Sequence, residues 1–230
     1  MIFMKIELLQ PVGSEDISIR SLKAYLETEL KDLEVDFEVK IQKNHLTVSL
    51  TGEDEELCAN FLYKQFGQLL AKKDAISGTD YKGYIQKIEP DKIILYAGFE
   101  IELALSSLSE LGVGNAGQIA ARFGMIPNLP VTFQMSPDLK TAVFSKEQID
   151  QWWAWKKTST DRIFVNSATR SQVKAALQKK GHGRDVYGVE KLGLTECVII
   201  CKENTDGPGI VASIGKLLPS QMGVLIGTKK

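Results

Sequence analysis

From Asp161 to Asp185 the chain reads DRIFVNSATRSQVKAALQKKGHGRD, and this stretch narrows the possible folds more than any other. Arg162 to Asn166 has the apolar run of a short strand. Thr169, with Gln172 three positions later, forms the capping box that starts a helix. Val173, Ala176 and Leu177 fall on one face of that helix, while Arg170, Lys174 and Gln178 line another at steps of four. Lys179 and Lys180 suit the carbonyl end of a helix, and Gly181 is the residue that ends one in the left-handed conformation. Neither strand nor helix can bury its apolar side alone, so further elements must follow. Val186 to Val189 and Glu196 to Lys202 read as strands. Asp206-Gly-Pro-Gly209 opens a helix with Ile210, Val211, Ile214, Leu217 and Leu218 turned inward, and Met222 to Gly227 closes the series. The order is β-α-β-β-α-β, a split β-α-β arrangement.

Upstream, the punctuation gives two further modules, so the expected class is α+β. Residues 1–77 read as an α+β sandwich of order β-α-β-β-α. Met1 to Gln10 is a strand, and Ile19, Leu22, Leu26 and Leu30 form a helical stripe. Asp36 to Gln42 and His45 to Thr51 are a hairpin turned at Lys43-Asn44, with His45 an exposed strand residue. The last helix carries Leu57, Phe61, Leu62, Phe66, Leu69 and Leu70 as its buried stripe. Residues 78–144 read as five short strands with a helical stretch between the third and fourth, the layout of an OB barrel. Residues 145–160 form a connector helix, capped at Ser145 with Gln148 at the reciprocal position. It carries all three tryptophans, Trp152, Trp153 and Trp155, as a clamp between barrel and C-terminal module. Residues 161–230 then form a ferredoxin-like C-terminal domain.

Charge divides along the same lines. Residues 1–70 hold 7 Lys/Arg against 13 Asp/Glu, whereas residues 156–230 hold 13 against 6, and the whole chain nets −1. A basic C-terminal module points to an anionic partner, and an acidic N-terminal one to protein contact or self-association. With 43% hydrophobic and 25% charged residues, extended disorder is not expected. No apolar run is long enough to span a bilayer, and the opening Met-Ile-Phe-Met-Lys-Ile-Glu is not a secretory signal, so a cytoplasmic protein with no membrane partner is expected. Cys58, Cys197 and Cys201 all sit in apolar segments, the usage of a reducing compartment.

Chemistry-bearing residues are few. Arg170, Lys174, Lys179, Lys180, His182 and Arg184 form a basic helix and turn suited to phosphates, arginine giving bidentate contacts. On the barrel, Tyr84, Lys92, Tyr96 and Phe99 are candidates for stacking and backbone contact with a single strand. His182 and Asp185 have no nucleophile beside them in sequence, although Ser171 or Thr169 could lie near in space, and no catalytic residue is assigned. Cys197 and Cys201 have no second ligand pair, so neither metal nor cofactor is expected. Gly112-Val-Gly114-Asn-Ala-Gly117 matches a dinucleotide fingerprint in letters, but a helical rather than strand-like segment precedes it. It reads as a helix break and restart.

Three resemblances add to these readings. Tyr81-Lys-Gly-Tyr-Ile-Gln-Lys-Ile88 and Gly98-Phe-Glu-Ile-Glu-Leu103 resemble S1-type RNA-binding barrels, which implies nucleic-acid contact by the barrel face. Thr205-Asp206-Gly207-Pro208-Gly209-Ile210-Val211 is similar to the turn by which ACT regulatory domains bind amino acids. There the turn follows the first strand, whereas here it precedes the second helix. It implies a ligand at Asp206, Gly207 and Gly209. Ala168-Thr-Arg170-Ser-Gln-Val173, Gly181-His-Gly-Arg-Asp185, Glu190-Lys-Leu-Gly-Leu-Thr-Glu196 and Ile119-Ala-Ala-Arg-Phe-Gly124 together resemble an archaeal protein family of unknown function. That resemblance covers most of the chain and brings no activity with it. The expected function is a non-enzymatic RNA-binding protein associated with ribosomes or RNA processing. A small-ligand regulator and a structural adaptor without nucleic acid are the alternatives.

Overall fold

The computed structural model describes residues 4–228. Met1 to Phe3, the expected start of the first strand, lie outside the described residues. The first module comprises β1 (Met4–Leu8), α1 (Glu15–Glu29), β2 (Val35–Gln42), β3 (His45–Gly52) and α2 (Glu55–Phe66). Its antiparallel sheet has the order β1-β3-β2. Lys43 and Asn44 both take positive φ, 50° and 64°, the geometry that folds a two-residue hairpin back with the twist of its strands. Alternation sends Ile6, Leu8, Val39, Leu46, Val48 and Leu50 to the helix side, where they meet Leu22, Leu26, Cys58 and Leu62.

The stripe on α2 differs from the expected one. Cys58, Ala59, Leu62 and Phe66 are buried, whereas Leu57 is 57% exposed, and Leu69 and Leu70 lie beyond the helix end. A stripe running 58, 62, 66 places residue 57 about 100° away from it. Past α2, Gln68 bridges to Leu8, and Leu9 N–H donates to the Gly67 carbonyl at 3.1 Å. These two residues lie beside β1 as the rudiment of a fourth strand.

The middle module is a closed barrel in the order β4-β5-β6-β8-β7: β4 (Asp80–Ile88), β5 (Ile93–Tyr96), β6 (Glu100–Leu103), β7 (Pro130–Met135) and β8 (Thr141–Phe144). Every pairing is antiparallel except β6 with β8. Ile85, Leu95, Ile101, Val131, Phe133 and Ala142 are among the side chains that fill it. Between β6 and β7 stand α3 (Leu105–Ser109) and α4 (Ala116–Arg122). The glycine motif is a helix break and restart: Asn115 caps α4 reciprocally with Gln118, and Arg122 donates across the loop to the Val113 carbonyl at 2.8 Å.

The third module comprises β9 (Arg162–Val165), α6 (Arg170–Lys179), β10 (Val186–Lys191), β11 (Cys197–Cys201), α7 (Gly207–Ile214) and β12 (Met222–Leu225). Its antiparallel sheet has the order β10-β11-β9-β12. One face meets α6 and α7 through Ile163, Val165, Cys197, Ile199 and Cys201. The other turns Phe164, Val198 and Leu225 into the same core as the barrel. Close approach at that seam needs glycine on both sides: a β-carbon on Gly223 would lie 2.2 Å from the Gly124 carbonyl oxygen, and Gly124 itself has φ 66°.

Helix α5 (Lys146–Lys156) glues the seam. Trp152, only 1% exposed, packs edge-on to Phe144 at 4.7 Å and against Phe123 at 6.3 Å. Trp155 lies 5.7 Å from Phe164 of β9, and Trp153 donates its indole N–H to the Glu110 carbonyl at 3.1 Å. The cap at Ser145 is half of the expected box. Ser145 Oγ accepts from Gln148 N–H, but the Gln148 side chain accepts from Thr132 N–H at 3.0 Å and ties the helix to β7 instead.

On α6 the box is complete, with Thr169 and Gln172 each accepting from the other's backbone N–H, at 3.2 and 2.8 Å. Thr169→Ala should therefore lower global stability by about 1 kcal/mol. A shift in the urea midpoint without a change of slope checks this.

Candidate functional site

Helix α6 and the turn after it carry the densest unpaired positive charge. Val173, Ala176 and Leu177 point into the sheet, which sends Arg170, Lys174, Lys179 and Lys180 outward, all exposed. Gly181 takes φ 79° and releases the chain into a 3-10 turn, His182–Arg184, with Arg184 exposed. Among the described residues none of these five cations lies within ion-pair distance of a carboxylate. Arg170 is anchored: its Nε–H donates to the Val189 carbonyl of β10 at 2.7 Å, which holds the guanidinium over the sheet edge.

His182 is engaged otherwise. Its Nδ1 lies 2.8 Å from Asp185 Oδ2 and its Nε2 3.0 Å from Ser213 Oγ on α7. With Nδ1 donating to the carboxylate, Nε2 accepts from the hydroxyl, and the turn is stapled to α7. Ser213, not Ser171 or Thr169, is the hydroxyl that meets the imidazole. The row of serine, histidine and aspartate resembles a hydrolytic triad in distances only. Ser213 sits in the last turn of α7, the carbonyl end of a helix, whose partial negative charge opposes an oxyanion. Nothing in the sequence ties residues 31 positions apart, so this bond had no readable signal.

Tyr187 is the second residue that the sequence left unmarked. The pairing of β10 with β11 shifts register between Val186 and Gly188, a bulge. Val186 and Val189 both turn toward the core, and Tyr187 between them is 59% exposed just past Arg184. Lys202 stands over its ring at 5.9 Å, and its hydroxyl donates to Glu203.

The barrel candidates are placed differently from the basic ones. Tyr84 is buried, Tyr96 shares a hydrogen bond of 3.0 Å with His45 Nε2 of the first module, and the two tyrosine rings pack 5.4 Å apart. His45 is thus half-buried at a module contact rather than an exposed strand residue. Phe99 packs against the barrel core, and Lys92 lies 3.6 Å from Glu89. These four groups serve contacts within the chain. No helix of the described residues is long and apolar enough to cross a membrane.

Models of three consecutive domains match the sequence: the DUF2110 N-terminal domain over residues 5–72, the central domain over 75–156 and the C-terminal domain over 160–226. The chain belongs to the DUF2110 family. No curated protein matches it. The matched boundaries fall where the DUF2110 fold changes module, between α2 and the barrel and between α5 and β9.

The turn Asp206, Gly207, Gly209 in this DUF2110 chain already has a carboxyl group of the chain against its Gly207 amide. Asp161, buried at the start of β9, accepts from Gly207 N–H at 3.1 Å and from Gly227 N–H at 3.0 Å. A β-carbon on Gly207 would lie 2.9 Å from Asp161 Oδ2. The carboxylate of an amino-acid ligand would compete with Asp161 for that amide. Cys197 and Cys201 are buried under the helices, and burial pushes both thiols up to about 12, which leaves them as unreactive thiols.

Proposed function

We propose that the protein is a non-enzymatic RNA-binding protein, associated with ribosomes or RNA processing, that engages phosphates through α6 and the turn that follows. The observation that carries this reading is the set of five exposed cations, Arg170, Lys174, Lys179, Lys180 and Arg184, without carboxylate partners among the described residues. Phosphates supply the counter-charges, and the exposed Tyr187 beside the turn offers a ring for base stacking. The strand order β12-β9-β11-β10 supports a ferredoxin-like assignment for the C-terminal module. The five-strand order, with one parallel pair and the helices after the third strand, supports an OB barrel of S1-like design in the middle. With Tyr84 and Tyr96 enclosed by the first module, the RNA surface belongs to the C-terminal module. The acidic first module remains available for protein contact.

Neutralising three to five phosphates gives log K against log salt a slope of about −2 to −3.5 on single strands. Changing Arg170, Lys174 and Arg184 together to alanine should flatten that slope by about 2. Fluorescence anisotropy with a single-stranded RNA over a salt series measures both, circular dichroism confirming that the variant is folded. Unchanged affinity and slope in the folded triple variant would remove this surface from consideration.

A further inference from the structure

All three modules meet at one cleft of about 300 Å³. The first module brings Tyr25 and Phe66, the barrel Lys82 and Tyr84, α5 brings Gln148, and the hairpin between β10 and β11 brings Lys191. At ~30 Å³ per molecule of liquid water this is space for about ten waters, the lower end of the range for small-ligand sites.

Some polar groups in the walls are spent. Gln10 donates to Glu196 at 2.7 Å and accepts from Leu194 N–H at 3.2 Å, so its carboxamide separates the Glu196 carboxyl from the cleft. Tyr84 and Tyr25 both keep hydroxyls with no hydrogen-bond partner among the described residues. Tyr84 as a residue is about nine-tenths buried, but its hydroxyl is open to the cleft, where a ligand oxygen can take the place of water. Two ammonium groups stand nearby. Lys82 is held by the Lys64 carbonyl at 2.9 Å, and Lys191 lies over the Tyr25 ring at 5.7 Å. Each keeps N–H groups free for an anion. The rest of the wall is aromatic and aliphatic, from Tyr25, Phe66, Pro130 and Leu194.

We propose that the junction cleft is a binding site for a small aromatic carboxylate. The ring lies among Tyr25, Phe66 and Tyr84, and the carboxylate takes the Tyr84 hydroxyl together with Lys82 and Lys191. Ammonium donors and a phenol can hold either a carboxylate or a phosphate, and the largely aromatic and aliphatic wall favours a flat ligand with one carboxylate over a bare, strongly hydrated phosphate. Because its walls come from all three modules, an occupant ties them together.

Thermal unfolding and calorimetric titration of the full chain with 4-hydroxyphenylacetate, indole-3-acetate and inorganic phosphate test this. Saturable stabilisation by one or both aromatic carboxylates and none by phosphate is expected. Tyr84→Phe keeps the ring and loses no internal hydrogen bond, so its unfolding temperature without ligand should match or exceed that of the unaltered protein. Its affinity should fall by about tenfold or more. Lys191→Met should weaken binding similarly, and both variants should keep the salt slope for RNA. The proposal is overturned if none of the three stabilises the protein, if phosphate alone does so, or if both variants bind the aromatic carboxylates undiminished.

Discussion

Replacing Trp152 by alanine is expected to destabilise the protein by about 3–5 kcal/mol, the range for removing a large aromatic from a closed core. Trp152 is among the largest side chains with almost no exposure, and its indole fills the space between Phe123 at the end of α4 and Phe144 at the end of β8. Both partners sit in segments already held by backbone hydrogen bonds, so the surroundings have little freedom to collapse into the void. Trp155→Ala should cost less. Trp155 is only half-buried, against Phe164 and under the Arg162 guanidinium at 5.4 Å. Urea unfolding of the two variants side by side decides the matter. Equal losses would mean that α5 holds the seam by its tryptophans collectively rather than through Trp152.

Glu196→Gln is expected to make the protein more stable at alkaline pH and nearly neutral at acidic pH. Glu196 is buried with no cation within ion-pair distance among the described residues. Burial raises its carboxyl from 4.5 to about 7, despite hydrogen bonds from Thr195 and Gln10 that favour the charged form. A carboxyl whose affinity for a proton is higher folded than unfolded stabilises the fold fully below pH 4.5. That contribution declines between pH 4.5 and 7 and is absent above. The span corresponds to about 3 kcal/mol. Glutamine can keep the contacts, its oxygen accepting from Gln10 and its amide donating to the Thr195 hydroxyl. It has no proton to lose. Urea midpoints of both proteins near pH 5 and pH 8.5 measure the difference. A gap between them that does not widen at the higher pH would mean that Glu196 stays charged without penalty.

Local chemistry was readable wherever a short stretch of chain decides its own conformation. Thr169 with Gln172, Gly181, and the Lys43-Asn44 turn each adopt the geometry that their residue types favour. So did the strand alternation that fills three cores. Features that depend on what a distant segment supplies were not readable. Gln148 has the residue type of a capping box, yet β7 offers it a backbone N–H and takes the side chain. Leu57 looked buried because it neighbours a true stripe residue, Cys58, and leucine is common inside. Tyr187 was hidden by a bulge, since one extra residue reverses the parity on which a strand pattern rests. Of the basic surface, the exposure of Arg170, Lys174 and Arg184 followed from helical spacing and turn position. The commitment of His182 to Ser213 required the path of α7.

The bond between Gln10 and Glu196 joins residues 186 positions apart. A ribosome adding about 5 to 20 residues per second completes the first module, at residue 72, roughly 6 to 25 s before Glu196 is made. Through that interval Gln10, Tyr25 and Phe66 face water or another molecule rather than the hairpin that will cover them. The junction cleft therefore cannot close until the hairpin between β10 and β11 has been made, and a chain cut short before Glu196 would present its unfinished wall to whatever meets it first.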